Sequence, residues 1–502
     1  MAYVSVDIPA GIFKHGTDLD SVGRWRDANL IRWQNGSVRP VGGWTTRKAS
    51  AFTYAPRGAL TWTDNSADSH IAAGTYEKLY HVNKVGTVSD ITPTSFTTGD
   101  LNADQNLGYG GSFYGTSYYS TERPSDGVPE EATSWSMDTW GQYLIACSSK
   151  DGKIYEWQLS TGTPAAAITN APVGNGAIVV TEERFIFALG AGSNPRLVKW
   201  CDREDNTDWT PTAINQAGDL ELQTSGEIMC GIRVRGRTLI LTSLDAHVAT
   251  YNGPPTVYGF QRVGTSCGTI SRMAAVAVDE GAFWMGSKSF FTYNGSSVQE
   301  MPCDVSDHVF KNINHAQKSK AFAVNNSQFG EVWWFYPSAD SLENDRYVVF
   351  DYKEGHWNIG ELSRSSAVDA GVFTNPIMFD TAGNVLNHET GYSHNGSETF
   401  LESGPISIAQ GDQIAKVNEI IPDELNQGEV TLTFKTRFYP NDSEVSHGPF
   451  ALANPTGARF SGRQVRMRIN GTELKDWRAG KMRLNVIPGG KRWAWLRTRH
   501  PR

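Results

Sequence analysis

The sequence predicts an all-β chain: a β-propeller of about seven blades with inserted loops and a C-terminal antiparallel β domain. Three observations predict it. Glycine and aromatic residues are both abundant (50 Gly, 16 Trp, 18 Tyr and 22 Phe in 502 residues), while charged residues make up only 20%. That composition suits pleated strands and tight turns better than a coiled coil or a disordered tail. Short runs of β-branched and aromatic residues lie between turn signals, and these runs recur with a period of about 44 residues, the length of a propeller blade.

The ladder of repeats begins near Ala59 and continues after Met137, Val180, Val234, Val278, Val324 and Val368, with gaps of 43, 54, 44, 46 and 44. Each unit carries at least two strand-like runs, for example 237–242 and 246–251, or 331–336 and 346–351. Asn252-Gly253 and Asn294-Gly295 follow such runs and read as hairpin turns, because Asn and Gly tolerate positive φ. The long gap holds an inserted acidic loop with Asp202, Glu204, Asp205 and Asp208. It lacks the central glycine and closing glutamate of a calcium loop and reads as solvated. In this register Phe187, Leu241, Trp284, Trp334 and Val349 belong in buried strands.

Three regions lie outside the ladder. Residues 1–58 form an N-terminal β segment that contributes to propeller closure or to a platform. Within the propeller span 59–409, residues 94–131 are poor in aliphatics and read as a projecting loop. Its Tyr109, Phe113, Tyr114, Tyr118 and Tyr119 suit either the channel constriction or a contact with a neighbour. Residues 410–502 form a basic β domain, since 430–438, 464–469 and 483–486 alternate apolar with polar or basic residues. Helix is expected only over 304–320, behind Asp304 as N-cap.

Charge is unevenly spread. Residues 459–502 hold thirteen Lys/Arg against Glu473 and Asp476, an excess of +11, which leaves −19 on the rest of a chain whose net charge is −8. Concentrated basic charge on an acidic body signals a partner. Arg463, Arg466, Arg468, Arg483, Lys491 and Arg492 are the candidate assembly residues, for an acidic protein surface rather than for nucleic acid.

Chemistry is hard to find. There is no H-E-x-x-H and no G-x-x-x-x-G-K-[ST]. The five cysteines are widely spaced without a C-x-x-C and read as buried apolar side chains. His388 and His394 are too loosely spaced for a metal pair. The run Trp333-Trp334-Phe335-Tyr336 reads as packing between blades rather than a carbohydrate platform, because neighbours in a strand face opposite sides. No catalytic, metal or cofactor residue is nominated, and no enzymatic activity is expected. The N-terminus has no basic-then-apolar leader, and no apolar run of about 18 residues exists, so the chain reads as starting in a reducing cytosol without a membrane span.

Three stretches carry a resemblance. The first is Gly11-Ile12-Phe13, Asp18, 24–30, Gly36 and Arg39-Pro40-Val41-Gly42-Gly43-Trp44. The second is 329–337 with 343–349 and Gly355-His356-Trp357. The third is 463–469 through Trp477, 480–484 and 488–492. Together they resemble the tail nozzle (tail tubular protein B) family of short-tailed phages, whose relatives are packaged-DNA stabilisation proteins. The resemblance implies a virion protein made in the host cytoplasm. It would form a homohexameric ring below the portal and adaptor, dock fibres, and close and guide a DNA channel without binding sequence. It supplies no active-site residue. The other reading is a carbohydrate-binding or glycan-hydrolysing propeller.

Overall fold

The computed structural model describes residues 2–48, 52–103, 130–406, 413–425, 428–439, 442–452, 455–471 and 474–489. Seven antiparallel four-stranded sheets dominate it, and six are built from four consecutive strands. Their first strands are Ala59–Thr63, Trp135–Trp140, Ala177–Val180, Ile228–Val234, Ala275–Val278, Phe322–Asn326 and Ser366–Val368. Each first strand contacts the next, and the last contacts the first. That closed circuit is a seven-bladed β-propeller, with these strands around its axis. All six of the periodic positions from Met137 to Val368 fall in these innermost strands.

The seventh blade is completed from far away in sequence. Its outermost strand is Trp44–Lys48, which pairs with Val385–His388 and so ties the two ends of the propeller together. Gly42 and Gly43 make this possible. A Cβ on Gly42 would stand 2.6 Å from Glu389 Cα, and one on Gly43 would stand 2.5 Å from the Ser393 backbone. Only bare backbone lets the chain pass so close while delivering Trp44 to the blade.

Apart from the hairpin of Ile31–Gln34 and Ser37–Pro40, the remaining strands form a two-sheet sandwich. One sheet runs Ala2–Val6, Met482–Pro488, Ala415–Ile421, Thr456–Gly462. The other runs Trp25–Asn29, Phe400–Ser403, Gln464–Gly471, Val430–Arg437, Val445–Ala451. The strand Phe400–Ser403 lies in the span read from the sequence as propeller, yet it belongs to this second sheet. Alternation puts Leu432, Phe434, Val465, Met467 and Ile469 on one inner face, packed with Val417, Ile420, Phe460 and Leu484 of the other. The same core continues into Phe290, Trp334 and Trp357 of blades five and six, so the sandwich sits against that side of the propeller.

Phe187, Leu241, Trp284 and Trp334 are fully buried and Val349 is 3% exposed, which is the register the repeat requires. Trp333, Phe335 and Tyr336 are buried too, so this aromatic run is blade packing. Two local features differ from the sequence reading. The expected helix is broken into an α-helix at Ser306–Lys311 and a 3₁₀ turn at His315–Lys320, and Asn314 caps the second by accepting from the Ala316 and Gln317 amides. Asp304 does not cap the first; it pairs with Arg24 at 2.9 Å. Asn35-Gly36 has both residues at positive φ (52° and 76°), in the tight hairpin between Ile31–Gln34 and Ser37–Pro40. At Asn252-Gly253 and Asn294-Gly295 the glycine alone is left-handed.

Candidate functional site

The basic residues singled out in the C-terminal domain separate onto two surfaces. Arg466 and Arg468 lie on the outer face of the five-stranded sheet, where strand pairing sets Arg466 beside Lys435 and Arg468 beside Glu402. Lys435, Arg437, Arg466 and Arg468 there meet four carboxylates. Lys435 reaches Glu402 at 2.8 Å, Arg437 reaches Asp18 at 3.1 Å, Arg466 reaches Glu444 at 3.0 Å, and Arg468 reaches Glu398 at 2.9 Å. Arg466 also closes on Asp18. Burial opposes ionisation of Asp18, but Arg466, Arg26 and Arg437 outweigh it and hold the carboxyl below its usual range. Arg463 stacks over Tyr439 instead, 5.2 Å from the ring centre. This face is a closed ionic network that fastens the N-terminal segment to the sandwich.

Arg483 lies on the other sheet, and its surroundings are different. It is exposed on the outer face of the four-stranded sheet together with Lys416 and Arg459, and none of the three has an ion-pair partner among the described residues. Beside them the open edge of the sandwich forms a groove of about 480 Å³ lined by Lys416, Asn418, Phe438, Val445, Arg459 and Ser461. The strands flanking it, Val445–Ala451 and Thr456–Gly462, are the last of their sheets. An unpaired basic face next to open strand edges is what an assembly contact requires. Lys416 was not singled out from the sequence. Its signal was there, in the alternation that exposes 416 and 418 while burying 415 and 417, but its lack of a partner is visible only in three dimensions. Lys491 and Arg492 lie outside the described residues.

At the other end of the molecule the charge is reversed. Blade three is three places round the ring from blade six, and blade six contacts the sandwich. Its rim carries Glu182, Glu183, Asp202, Glu204, Asp205 and Asp208, and the Glu204 amide donates to the Arg184 carbonyl at 3.0 Å, which joins the two loops. Arg184 and Arg203 are the cations of these loops.

The roots of the 94–131 segment rest at one mouth of the propeller. Ala103 exchanges hydrogen bonds with the Gln317 side chain (3.0 and 2.9 Å), and the Ala132 amide donates to Ser319 Oγ. Beneath them Glu343 is shared by Arg57 at 2.6 Å and Lys320 at 2.9 Å. Burial, reinforced by Arg57, brings the Lys320 amine down to about 8. Its three hydrogen bonds, to Asn102, Leu342 and Glu343, make it a fastening rather than a free nucleophile. Tyr109, Phe113, Tyr114, Tyr118 and Tyr119 lie outside the described residues. The propeller bore itself is spanned by side chains. Arg233 crosses to Asp138 at 2.9 Å, and Arg272 reaches both the Ile228 carbonyl and Glu131.

A buried clasp joins the N-terminal hairpin to blades six and seven. Arg32 holds Glu331 through Nε and Nη2 (2.9 and 3.0 Å) and Glu389 through Nη2 and Nη1 (2.6 and 3.0 Å), with its guanidinium 3.6 Å over the Phe329 ring. Burial pushes the Glu331 carboxyl up despite Arg32, whereas for Glu389 the arginine outweighs burial and pulls it down. One guanidinium serving two carboxylates in a dry site is a structural lock. Burial also pushes the Cys147, Cys201 and Cys230 thiols up to about 12, well away from nucleophilic reactivity at neutral pH.

Comparison with known proteins adds the following. No family model matches the chain. A 132-residue stretch is 30% identical to protein transport protein Sec16B of Rattus norvegicus and, equally, of Mus musculus, covering 24% of this chain. The chain spans only 11% and 12% of the length of those relatives. Among solved structures it is similar to virginiamycin B lyase from Staphylococcus aureus (6% identity, TM-score 0.42, 69% of this chain and 98% of that one). It is likewise similar to the Pan2 WD40 domain of Neurospora crassa (8% identity, TM-score 0.39, 72% and 98%). The expectation of no enzymatic activity is corrected at this point, because virginiamycin B lyase and streptogramin B lyase are enzymes. At such identities the likeness concerns the fold, and no catalytic residue is carried over.

Proposed function

We propose that the chain is a structural virion protein, a tail nozzle subunit of a short-tailed phage. In this reading it assembles with copies of itself into a hexameric ring below the portal and adaptor, retaining and guiding the DNA. One observation carries it: the three separated stretches that resemble that family meet in space. The Leu30 amide of the first donates to the Tyr347 hydroxyl of the second at 2.8 Å, and the Ile12 amide donates to the Trp357 carbonyl at 2.8 Å. Asp18 of the first meets Arg466 of the third, and Arg39 of the first pairs with Asp476 of the third at 2.9 Å. The residues that resemble the family are therefore those that weld the sandwich to the propeller, a scaffolding role.

The contact between copies, in this reading, sets the unpaired cations Lys416, Arg459 and Arg483 of one copy on the acidic rim of blade three in the next. Two different patches at opposite ends make a head-to-tail interface, which closes into a ring when the rotation per copy permits. DNA would use the lumen between copies, since side chains span the bore of each propeller. An acidic body limits phosphate binding and lets a duplex slide. Negative-stain micrographs of the purified protein test the reading. Closed six-fold rings with an axial lumen are the expected result. A monomer that binds or cleaves glycans would contradict it and favour the carbohydrate reading.

A further inference from the structure

A buried cation without an ion-pair contact lies between blades six and seven. Arg364 follows the outermost strand of blade six and is 4% exposed. Its Nε donates to His388 Nε2 at 2.9 Å and its Nη1 to the Ser363 carbonyl at 2.7 Å. Nη2 has no hydrogen-bond partner, and no carboxylate among the described residues lies within ion-pair distance of the group. The guanidinium rests 4.7 Å over the ring of Trp44, which in turn stacks on His388 at 5.3 Å. Burial pushes the Arg364 guanidinium down to about 9 despite the charge of Asp380, and it keeps His388 neutral, in the form that accepts the Nε proton. The other deeply buried cations, Arg32, Arg57 and Lys320, each have a glutamate. An unpaired buried charge costs several kcal/mol, so a site built this way calls for an anion.

Arg364 also lines a pocket of about 440 Å³ between blades six and seven, a size in the range of small-molecule sites. Trp44 and Leu386 supply an apolar wall, and Ser397 stands at the exposed rim. Three carboxylates share the lining: Asp345, Glu361 and Asp380. Each has a partner within the chain. Asp345 accepts from the Ser338 amide and hydroxyl (both 2.7 Å), Glu361 is held by Arg346, and Asp380 accepts from the Ala382 and Asn384 amides (3.0 and 2.8 Å). With one buried cation and three carboxylates, the lining disfavours a simple anion such as phosphate and equally a simple cation.

We propose that this pocket binds a small zwitterion of the amino-acid class, with its carboxylate on Arg364 and its ammonium group on the acidic part of the lining. The site is separate from the assembly surfaces and does not depend on the virion reading.

Calorimetric titration and thermal melts of the full chain test it, with glycine, lysine and acetate as probes. Glycine and lysine are expected to bind and to raise the melting temperature in proportion to occupancy. Acetate, lacking the ammonium group, is expected to bind at least about tenfold more weakly. Arg364→Met should abolish binding. Ser397→Trp, at the exposed rim, should abolish it while leaving the ligand-free melting temperature unchanged, and it decides the matter if Arg364→Met does not fold. No binding of either amino acid at about 10 mM, equal binding of acetate and glycine, or binding that survives Ser397→Trp would each overturn the proposal. So would density showing only water or a side chain of this chain against Nη2.

Discussion

The two outer faces of the sandwich carry the same kind of side chain to different ends. On the five-stranded sheet, Lys435, Arg437, Arg466 and Arg468 are matched by Asp18, Glu398, Glu402 and Glu444, drawn from stretches far apart in sequence. On the four-stranded sheet, Lys416, Arg459 and Arg483 stand exposed with no partner among the described residues. The first face spends its charge on holding the fold together, and the second keeps its charge for another molecule. Basic residues alternating along a strand are thus no guide to binding until their counter-ions have been located.

Substitutions can separate the two roles, and the largest effect belongs to the most deeply buried ion pair. Arg32→Ala would leave Glu331 and Glu389 buried without their cation and should cost about 3–5 kcal/mol in denaturant unfolding. Trp334→Ala, a large-to-small change in the core shared by propeller and sandwich, should cost about 3–5 kcal/mol as well; an unchanged midpoint would refute its burial. Acid should act next. Burial lowers the His81 imidazole to about 4, with the charge of His70 adding to it, whereas an unfolded chain protonates near 6.5. Between those values the unfolded state binds more protons, so stability is fully present above about pH 6.5 and falls as pH drops toward 4. The His81 share of the loss is on the order of 3 kcal/mol, and a His81→Gln variant should lose less stability by that amount over the same pH range. His308, brought down to about 4 by burial and Lys14, acts in the same direction.

The paired face comes after these. Arg466→Ala removes contacts with Asp18 and Glu444 and should cost about 1–2 kcal/mol, because a charge-assisted network is lost from a mostly covered site. Lys416→Ala, Arg459→Ala and Arg483→Ala should leave the unfolding midpoint where it is, as expected for exposed side chains with no partner.

Much of this architecture can be read directly from the residues, and the rest cannot for physical reasons. Blade strands announce themselves because each alternates or buries a continuous apolar run within about 44 residues, so local pattern suffices. Completion of blade seven by Trp44–Lys48 is not local. The strand is supplied from more than 300 residues away, and Gly42-Gly43 gives a reason for its course only once Glu389 and Ser393 are seen beside it. The helix expected over 304–320 fails at Asn312–Asn314, where Asn314 prefers to cap a new turn. The charge reading fails in the same way. A +11 excess is real in the sequence, but Arg466 and Arg468 are neutralised by carboxylates that the chain brings in from residues 18, 398, 402 and 444. Arg364 lay in no motif at all. What distinguishes it is a buried Nη2 with no hydrogen-bond partner, which no linear pattern records.

The contrast between the faces is tested most directly by the mass of the assembly in solution. Native mass measurement should find a ring for the wild type that dissociates as salt screens surface charge. The Lys416→Glu, Arg459→Glu, Arg483→Glu triple variant should be monomeric with an unchanged unfolding midpoint, while Arg466→Ala should still form rings although it is less stable. A triple variant that assembles normally, or an Arg466→Ala protein that loses assembly without losing stability, would contradict the division of labour between the two faces.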